Sequence, residues 1–209
     1  MSIKTVIFDM GNVLVHFSHV KAGLQLARLA GVNERDVRKA LFQSPFAMDY
    51  ECGRLTTDEM IEKLQDALSV TLDTQRTIEA ISDIFWPKHD MEDLLQRVKG
   101  AGRRTLLLSN TNAAHFSYIE KHYDFLRNID EVVLSYRVGA CKPERKIYEH
   151  ALALAQCQPD ECLFIDDVLE NVDGAIAAGL PAHLFSSAGE VEKILAIREA
   201  NMTKNGGRI

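Results

Sequence analysis

The 209-residue chain lacks an excess of cations: 24 Lys and Arg against 30 Asp and Glu give a net charge of -6. Its basic residues are scattered through expected helices, so the electrostatic footprint of a nucleic-acid-binding protein is missing. No apolar run approaches the ~20 residues needed to cross a bilayer, and no membrane association is expected. Cysteines are few and unevenly spaced: Cys52, Cys141, Cys157 and Cys162 match no paired zinc pattern and follow no secretory signal. A soluble, cytoplasmic protein with four reduced, buried thiols is the expectation. No sequence feature specifies an oligomeric state.

What the chain does have is a repeated arrangement of apolar strand followed at once by polar groups. Val6-Ile7-Phe8 runs into Asp9 and the glycine-bearing turn Met10-Gly11-Asn12, and Leu106-Leu107-Leu108 runs into Ser109-Asn110. Gly139-Ala140-Cys141 precedes Lys142-Pro143-Glu144, and Leu163-Phe164-Ile165 ends in Asp166-Asp167. Strands are expected near 4–8, 104–108, 131–134, 162–165 and 181–184, alternating with helices. That alternation argues for a parallel sheet covered on both faces. In such sheets ligands sit beyond the carboxyl ends of the strands, where the strand order reverses. Asp9, Ser109 and the Asp166-Asp167 pair all fall at such ends.

This ordered series of carboxylate, hydroxyl, lysine and acidic pair resembles the haloacid dehalogenase-like (HAD) superfamily, over nearly the whole chain. The opening Asp9-Met10-Gly11-Asn12-Val13-Leu14 looks like the branch that contains sugar-phosphate phosphatases, including one acting on glucose 1-phosphate. The resemblance implies an α/β fold, a doubly wound parallel sheet of Rossmann-like type, with an inserted all-helical cap domain. The core would be 1–15 and 88–209, and the cap 16–87. It further implies a magnesium-dependent phosphatase for a small phosphorylated metabolite, working through an aspartyl-phosphate on Asp9. By the same resemblance Ser109 and Asn110 would bind phosphate, and Lys142 would bridge nucleophile and phosphate. Magnesium would be held by Asp9, the Gly11 carbonyl and Asp167, with Asp166 as a further or outer ligand and Asn171 nearby.

The chemistry suits those residue types. A carboxylate nucleophile splits one slow displacement at phosphorus into two easier ones. Bringing that carboxylate to an anionic phosphate requires an intervening cation, and hard oxygen ligands suit magnesium.

One position departs from the family pattern. Most phosphatases of the superfamily carry a second aspartate two residues after the nucleophile to protonate the leaving group; here that position is Gly11. Such assistance is worth ~10² to 10⁴-fold. Either the leaving group needs little protonation, as with a sugar's anomeric oxygen, or Asn12, a cap residue or a water stands in. Alternatives are a metal-independent 2-haloacid dehalogenase, and a degenerate non-catalytic member that binds a metabolite or partner. Both are disfavoured by retention of Lys142 with the acidic pair.

Residues 16–87 carry helix signals and no convincing strand. Asn33, Thr56 with Glu59 as a capping box, and Asp73 read as helix starts. Met60, Ile61, Leu64 and Leu68 repeat at helical spacing. Phe46, Met48, Tyr50 and Glu51 are the positions named for substrate contact. His16, Phe17, Phe85 and Trp86 are expected to pack the hinge, His115 and Arg137 to serve surface or packing roles, and 201–209 to fray.

Overall fold

The computed structural model describes residues 2–205. Strand β1 (Thr5–Phe8) is apolar and buried along its whole length. It lies in the middle of a five-stranded parallel sheet ordered β5-β4-β1-β6-β7, with β4 Arg104–Ser109, β5 Glu131–Leu134, β6 Cys162–Asp166 and β7 Ala182–Leu184. Side chains alternate between faces, and both faces are covered, which is why these strands read as unbroken apolar runs. Val6, Phe8, Leu107 and Ile165 join one hydrophobic cluster, whereas Ile7, Leu106, Leu108 and Phe164 join another. Each such side chain contributes roughly 1.5–3 kcal/mol by leaving water.

The chain runs from β1 through β2 (Val15–Phe17) into α1 (His19–Ala30), α2 (Glu34–Gln43), α3 (Pro45–Glu51), α4 (Thr57–Leu68) and α5 (Thr74–Ser82), and returns through β3 (Phe85–Pro87). Helices α6 (His89–Gly100), α7 (Ala113–His122), α8 (Ser135–Val138), α9 (Arg145–Leu154), α10 (Leu169–Ala177) and α11 (Ala188–Asn205) complete the core. Met91, Leu94 and Leu95 of α6 and Phe116 of α7 pack one face of the sheet; Ile147 and Tyr148 of α9 and Ala175 of α10 pack the other. Because β4 and β5 lie on one side of β1 while β6 and β7 lie on the other, the strand order reverses beside β1. Asp9 therefore opens into the crevice where the reversal occurs.

The inserted helices have their own cluster around Leu26, Val37, Met60, Ile61 and Leu64. The expected starts hold at Asn33, Thr56 and Asp73, each of whose side chains accepts a main-chain N–H bond, and Thr56 with Glu59 closes both bonds of a capping box. Two features differ from the sequence reading. The entry and exit segments pair as an antiparallel ribbon, Val15 with Pro87 and Phe17 with Phe85, a pairing of three-residue strands too short to show an alternating pattern. Helix α11 runs to Asn205 where fraying was expected, and 206–209 lie outside the described residues.

Candidate active site

The Lys142 ammonium is the centre of the site. Its Nζ donates to Asp9 Oδ1 at 2.7 Å, to Asp166 Oδ2 at 2.6 Å and to the Leu108 carbonyl at 3.3 Å. Lysine, Asp9 and Asp166 are all nearly inaccessible, at 5%, 7% and 0% of their free surface. Burial pulls the lysine's pKa down, but the two carboxylates outweigh it and hold the ammonium above its ordinary value. Burial pushes Asp9 up to about 7, the lysine opposing it and Asp166 adding to it. Two carboxylates around one ammonium leave an excess negative charge in a dry place.

The surrounding framework fixes this arrangement. Asn110 accepts from the Lys142 main-chain N–H at 2.7 Å and donates its amide to the Lys142 carbonyl at 2.9 Å. Its side chain thus clamps the lysine loop, and the second N–H of its amide is not used in that clamp. Asn171 donates to both Asp166 oxygens at 3.1 and 3.2 Å, and Asp166 also accepts from the Val168 main chain. Gly174 lets α10 approach that loop, since a Cβ there would meet Pro143 Cβ at 2.7 Å. Asn12 adopts a left-handed conformation, φ 55, and donates to Asp167 Oδ2 at 3.1 Å. Ser109 is buried at the end of β4, but the cap of α7 is Asn112, three residues on, rather than Ser109.

Asp9, Asp166 and Asp167 can each offer an oxygen within 4.8 Å of the others. Hard carboxylate oxygens around an excess of negative charge fit a divalent cation such as magnesium. Gly11 borders the same space, while the neighbouring Met10 carbonyl is taken by the Leu14 and Val15 N–H groups of the turn.

A cavity of about 230 Å³ joins Asp9, Gly11, Ser109, Asn110, Lys142 and Asp167. His19, Glu51 and His115 border it as well, and they also border a second cavity of about 370 Å³ inside the insertion. That second space is walled by Leu41, Phe42, Phe46, Met48, Tyr50 and Met60 among others. The Phe46, Met48, Tyr50 and Glu51 group singled out from sequence thus lies together on its wall. His115, expected in a surface or packing role, packs edge-on against Phe85 and also lines both cavities. Arg137 is exposed and stacks near Phe116 and Tyr136, as a surface residue does. His19 was missed by sequence reasoning altogether, because a histidine at the first turn of a helix carries no signal of what the helix faces.

The insertion is stitched to the core beside the lysine. Ser135 Oγ donates to the Glu51 carbonyl at 2.7 Å, and the Ala114 N–H donates to Tyr50 Oη at 3.3 Å. Cys52 and Cys141 form a disulfide, Cα atoms 5.7 Å apart. The expectation of four reduced thiols therefore fails for this pair; a separation of 89 residues hides a proximity that only folding creates. Cys157 and Cys162 are free.

Residues 3–179 match the family model of the haloacid dehalogenase-like hydrolases. The chain belongs to that family. It is 28% identical over 189 residues to a sesquiterpene phosphatase of Aspergillus oryzae, covering 89% of this chain and 92% of that one. It is 28% identical over 179 residues to a D-ribitol-5-phosphate phosphatase of Bacteroides thetaiotaomicron, covering 81% and 85%. A HAD family enzyme of the same bacterium, solved with magnesium and inorganic phosphate, superposes with a TM-score of 0.79 at 21% identity, over 89% of this chain and 96% of that one. The parallel core and inserted helices are thus those of a HAD-type hydrolase. Among the described residues no helix is long and apolar enough to cross a membrane.

Proposed function

We propose that this hydrolase is a magnesium-dependent phosphatase of a small monophosphate, with residues 16–87 acting as the cap over the core. The observation that carries the reading is the buried Lys142 bridge between Asp9 and Asp166, with Asp167 within ligand distance. Asp9, Asp167 and the Gly11 carbonyl would hold the metal with Asp166 behind them, and the metal would supply positive charge for the phosphoryl oxygens. Asp9 Oδ attacks phosphorus and the leaving oxygen departs, giving an aspartyl-phosphate that water then hydrolyses. Lys142 keeps Asp9 aimed and favours its ionised form against the effect of burial, and Ser109 contributes a hydroxyl to the phosphoryl group. Asn110 clamps the Lys142 loop and can offer its remaining amide N–H to a phosphoryl oxygen.

The substrate's body points into the second cavity. Sugar phosphates were the sequence expectation, and one relative acts on ribitol 5-phosphate; the other relative is a sesquiterpene phosphatase. The aromatic and aliphatic side chains that supply most of the wall favour a substrate body with an apolar part, while Gln43, Ser44 and Asn112 could bond to polar groups on it.

Phosphate release tests the reading, using isoprenyl and alkyl monophosphates, sugar phosphates and nitrophenyl phosphate, each with magnesium or chelator. Magnesium-dependent release that Asp9→Asn abolishes is the expected result. Chelator-resistant release, or full activity in Asp9→Asn, would sink it. Chloride release from 2-chloro acids would instead establish a dehalogenase.

A further inference from the structure

We propose that Glu51 is the proton donor to the leaving oxygen, the task that Gly11 leaves unfilled. The inference rests on the phosphatase reading above and concerns a residue of the insertion rather than of the core. The usual place for such an acid is closed in this chain: a Cβ on Gly11 would lie 2.8 Å from Phe17 Cε1, so the Phe17 ring fills the volume an aspartate side chain would need. The acid must come from elsewhere on the cavity wall.

Apart from the metal-binding carboxylates and Lys142, the imidazole and carboxyl groups bordering the phosphate cavity are those of His19, Glu51 and His115. His115 is committed. Its Nε2 lies 3.1 Å from the Ile81 carbonyl, which can only accept, so that nitrogen carries the proton; Nδ1 lies 3.2 Å from the Asn112 amide and accepts. Burial also lowers His115 to about 4, so it is neutral near pH 7 with no proton to give the substrate. His19 stacks on Phe42 at 4.3 Å and meets the Phe17 edge at 4.9 Å, and burial, then Arg38, lowers its pKa. A neutral imidazole N–H is a poor acid. Asn12 is used on Asp167.

Glu51 has the opposite character. Burial raises its pKa, and no cation or hydrogen-bond donor pulls it back. A carboxyl that burial makes hold its proton more tightly is shifted in the direction general acid catalysis calls for. The titratable groups that share the phosphate cavity with it are Asp9, Asp167, Lys142, His19 and His115, and Tyr50 shares the apolar one. Its position suits the task on separate grounds. Glu51 borders both the phosphate cavity and the apolar one, so it sits where a bond between phosphorus and the substrate body would lie. It is held there by the Ser135 bond to its carbonyl and by the Cys52–Cys141 link to the residue preceding Lys142.

In the first step the Asp9 Oδ–P bond forms, the bond from phosphorus to the leaving oxygen breaks, and the Glu51 proton passes to that oxygen. In the second, water's oxygen bonds to phosphorus, the Asp9 Oδ–P bond breaks, and the Glu51 carboxylate takes water's proton. Both carboxyl groups end as they began.

The test compares kcat/KM, which reports steps through the first irreversible one, for an alkyl monophosphate and for nitrophenyl phosphate. The aryl leaving group is stable as an anion and needs little proton donation. In Glu51→Gln the alkyl-to-aryl ratio should fall ~10²-fold or more, and the high-pH limb of the alkyl profile should disappear. Glu51→Asp should recover part of the ratio. A parallel loss on both substrates, or an unchanged ratio, overturns the proposal while leaving the phosphatase reading intact. A wild-type protein inactive on every monophosphate removes that reading, and this inference with it.

Discussion

On the core side of the cavity, Asp9, Ser109, Lys142 and Asp166 are buried to within 7% of their free surface, and the lysine and both aspartates are bonded to named partners. On the insertion side, Met48 is 56% exposed, Phe46 is half-buried, and the wall is mostly apolar. The core side holds its groups by charge and hydrogen bonds, so it tolerates one geometry. The insertion side holds its groups by packing and by a few stitches at the seam, so it can vary in shape while the chemistry opposite stays fixed. Glu51 apart, the difference separates what the site does from what it accepts.

The sharpest break of the core side is Lys142→Met, which leaves Asp9 and Asp166 facing each other without their ammonium. Removing one partner of a buried ionic cluster costs about 3–5 kcal/mol, and turnover should fall ~10³-fold or more because the metal and phosphate site loses its fixed cation. Urea unfolding at neutral pH without added metal measures the first, and phosphate release the second. A variant as stable as the parent would show that the ammonium does not hold the carboxylates together.

Gly53→Ala attacks the seam instead. Gly53 has φ +70, and an added Cβ would overlap the Tyr136 carbonyl of α8, so the end of α3 would have to lift from the core. A loss of about 2–4 kcal/mol is expected, with the alkyl substrate losing more kcat/KM than the aryl one if Glu51 moves with the helix. A change within about 0.5 kcal/mol, the range of neutral surface substitutions, would mean the approach is looser than drawn.

The core side was the legible one because its signal is local: each functional group follows an apolar strand directly in sequence, and a strand end fixes where the next side chain points. Asp9, Ser109, Lys142 and the acidic pair were readable for that reason. Asn110 was legible as a site residue but not as a clamp, since its partner is 32 residues away. The insertion was legible as helices with caps, but not as a wall. Which face of α1 or α3 meets the core depends on the Ser135, Tyr136 and Cys141 contacts, and those pair segments far apart in sequence. For the same reason Phe17, expected only to pack the hinge, gave no hint that its ring occupies the space beside Gly11.

His115 joins the two walls and offers a pH test. Its folded pKa, about 4, lies below the ordinary 6.5. The unfolded chain thus takes up a proton that the folded chain refuses as pH falls through 6.5. Stability from this group is present in full above that pH and is lost progressively toward pH 4. Allowing for the partly open ring, the loss is roughly 1–3 kcal/mol. His115→Gln, which can still donate to the Ile81 carbonyl, should flatten that part of the stability profile. An unchanged slope between the two pH values would mean that His115 is solvated.

The smallest effect falls on substrate choice. Phe46 borders the apolar cavity but not the phosphate one, so Phe46→Gln should leave the rate on inorganic-like or small aryl phosphates nearly untouched. For a long alkyl or isoprenyl monophosphate it should raise KM about tenfold, the scale of losing one good apolar contact in a pocket. Met48→Gln, at a more exposed position on the same wall, should act in the same direction but more weakly. The comparison between the two walls requires this asymmetry: a change on the apolar wall away from Glu51 moves KM for one substrate class, whereas a change at Lys142 lowers turnover for all of them. Should Phe46→Gln reduce turnover of every monophosphate alike, the apolar wall, and not Glu51 alone on the insertion side, would be part of the chemical machinery rather than the surface that selects what reaches it.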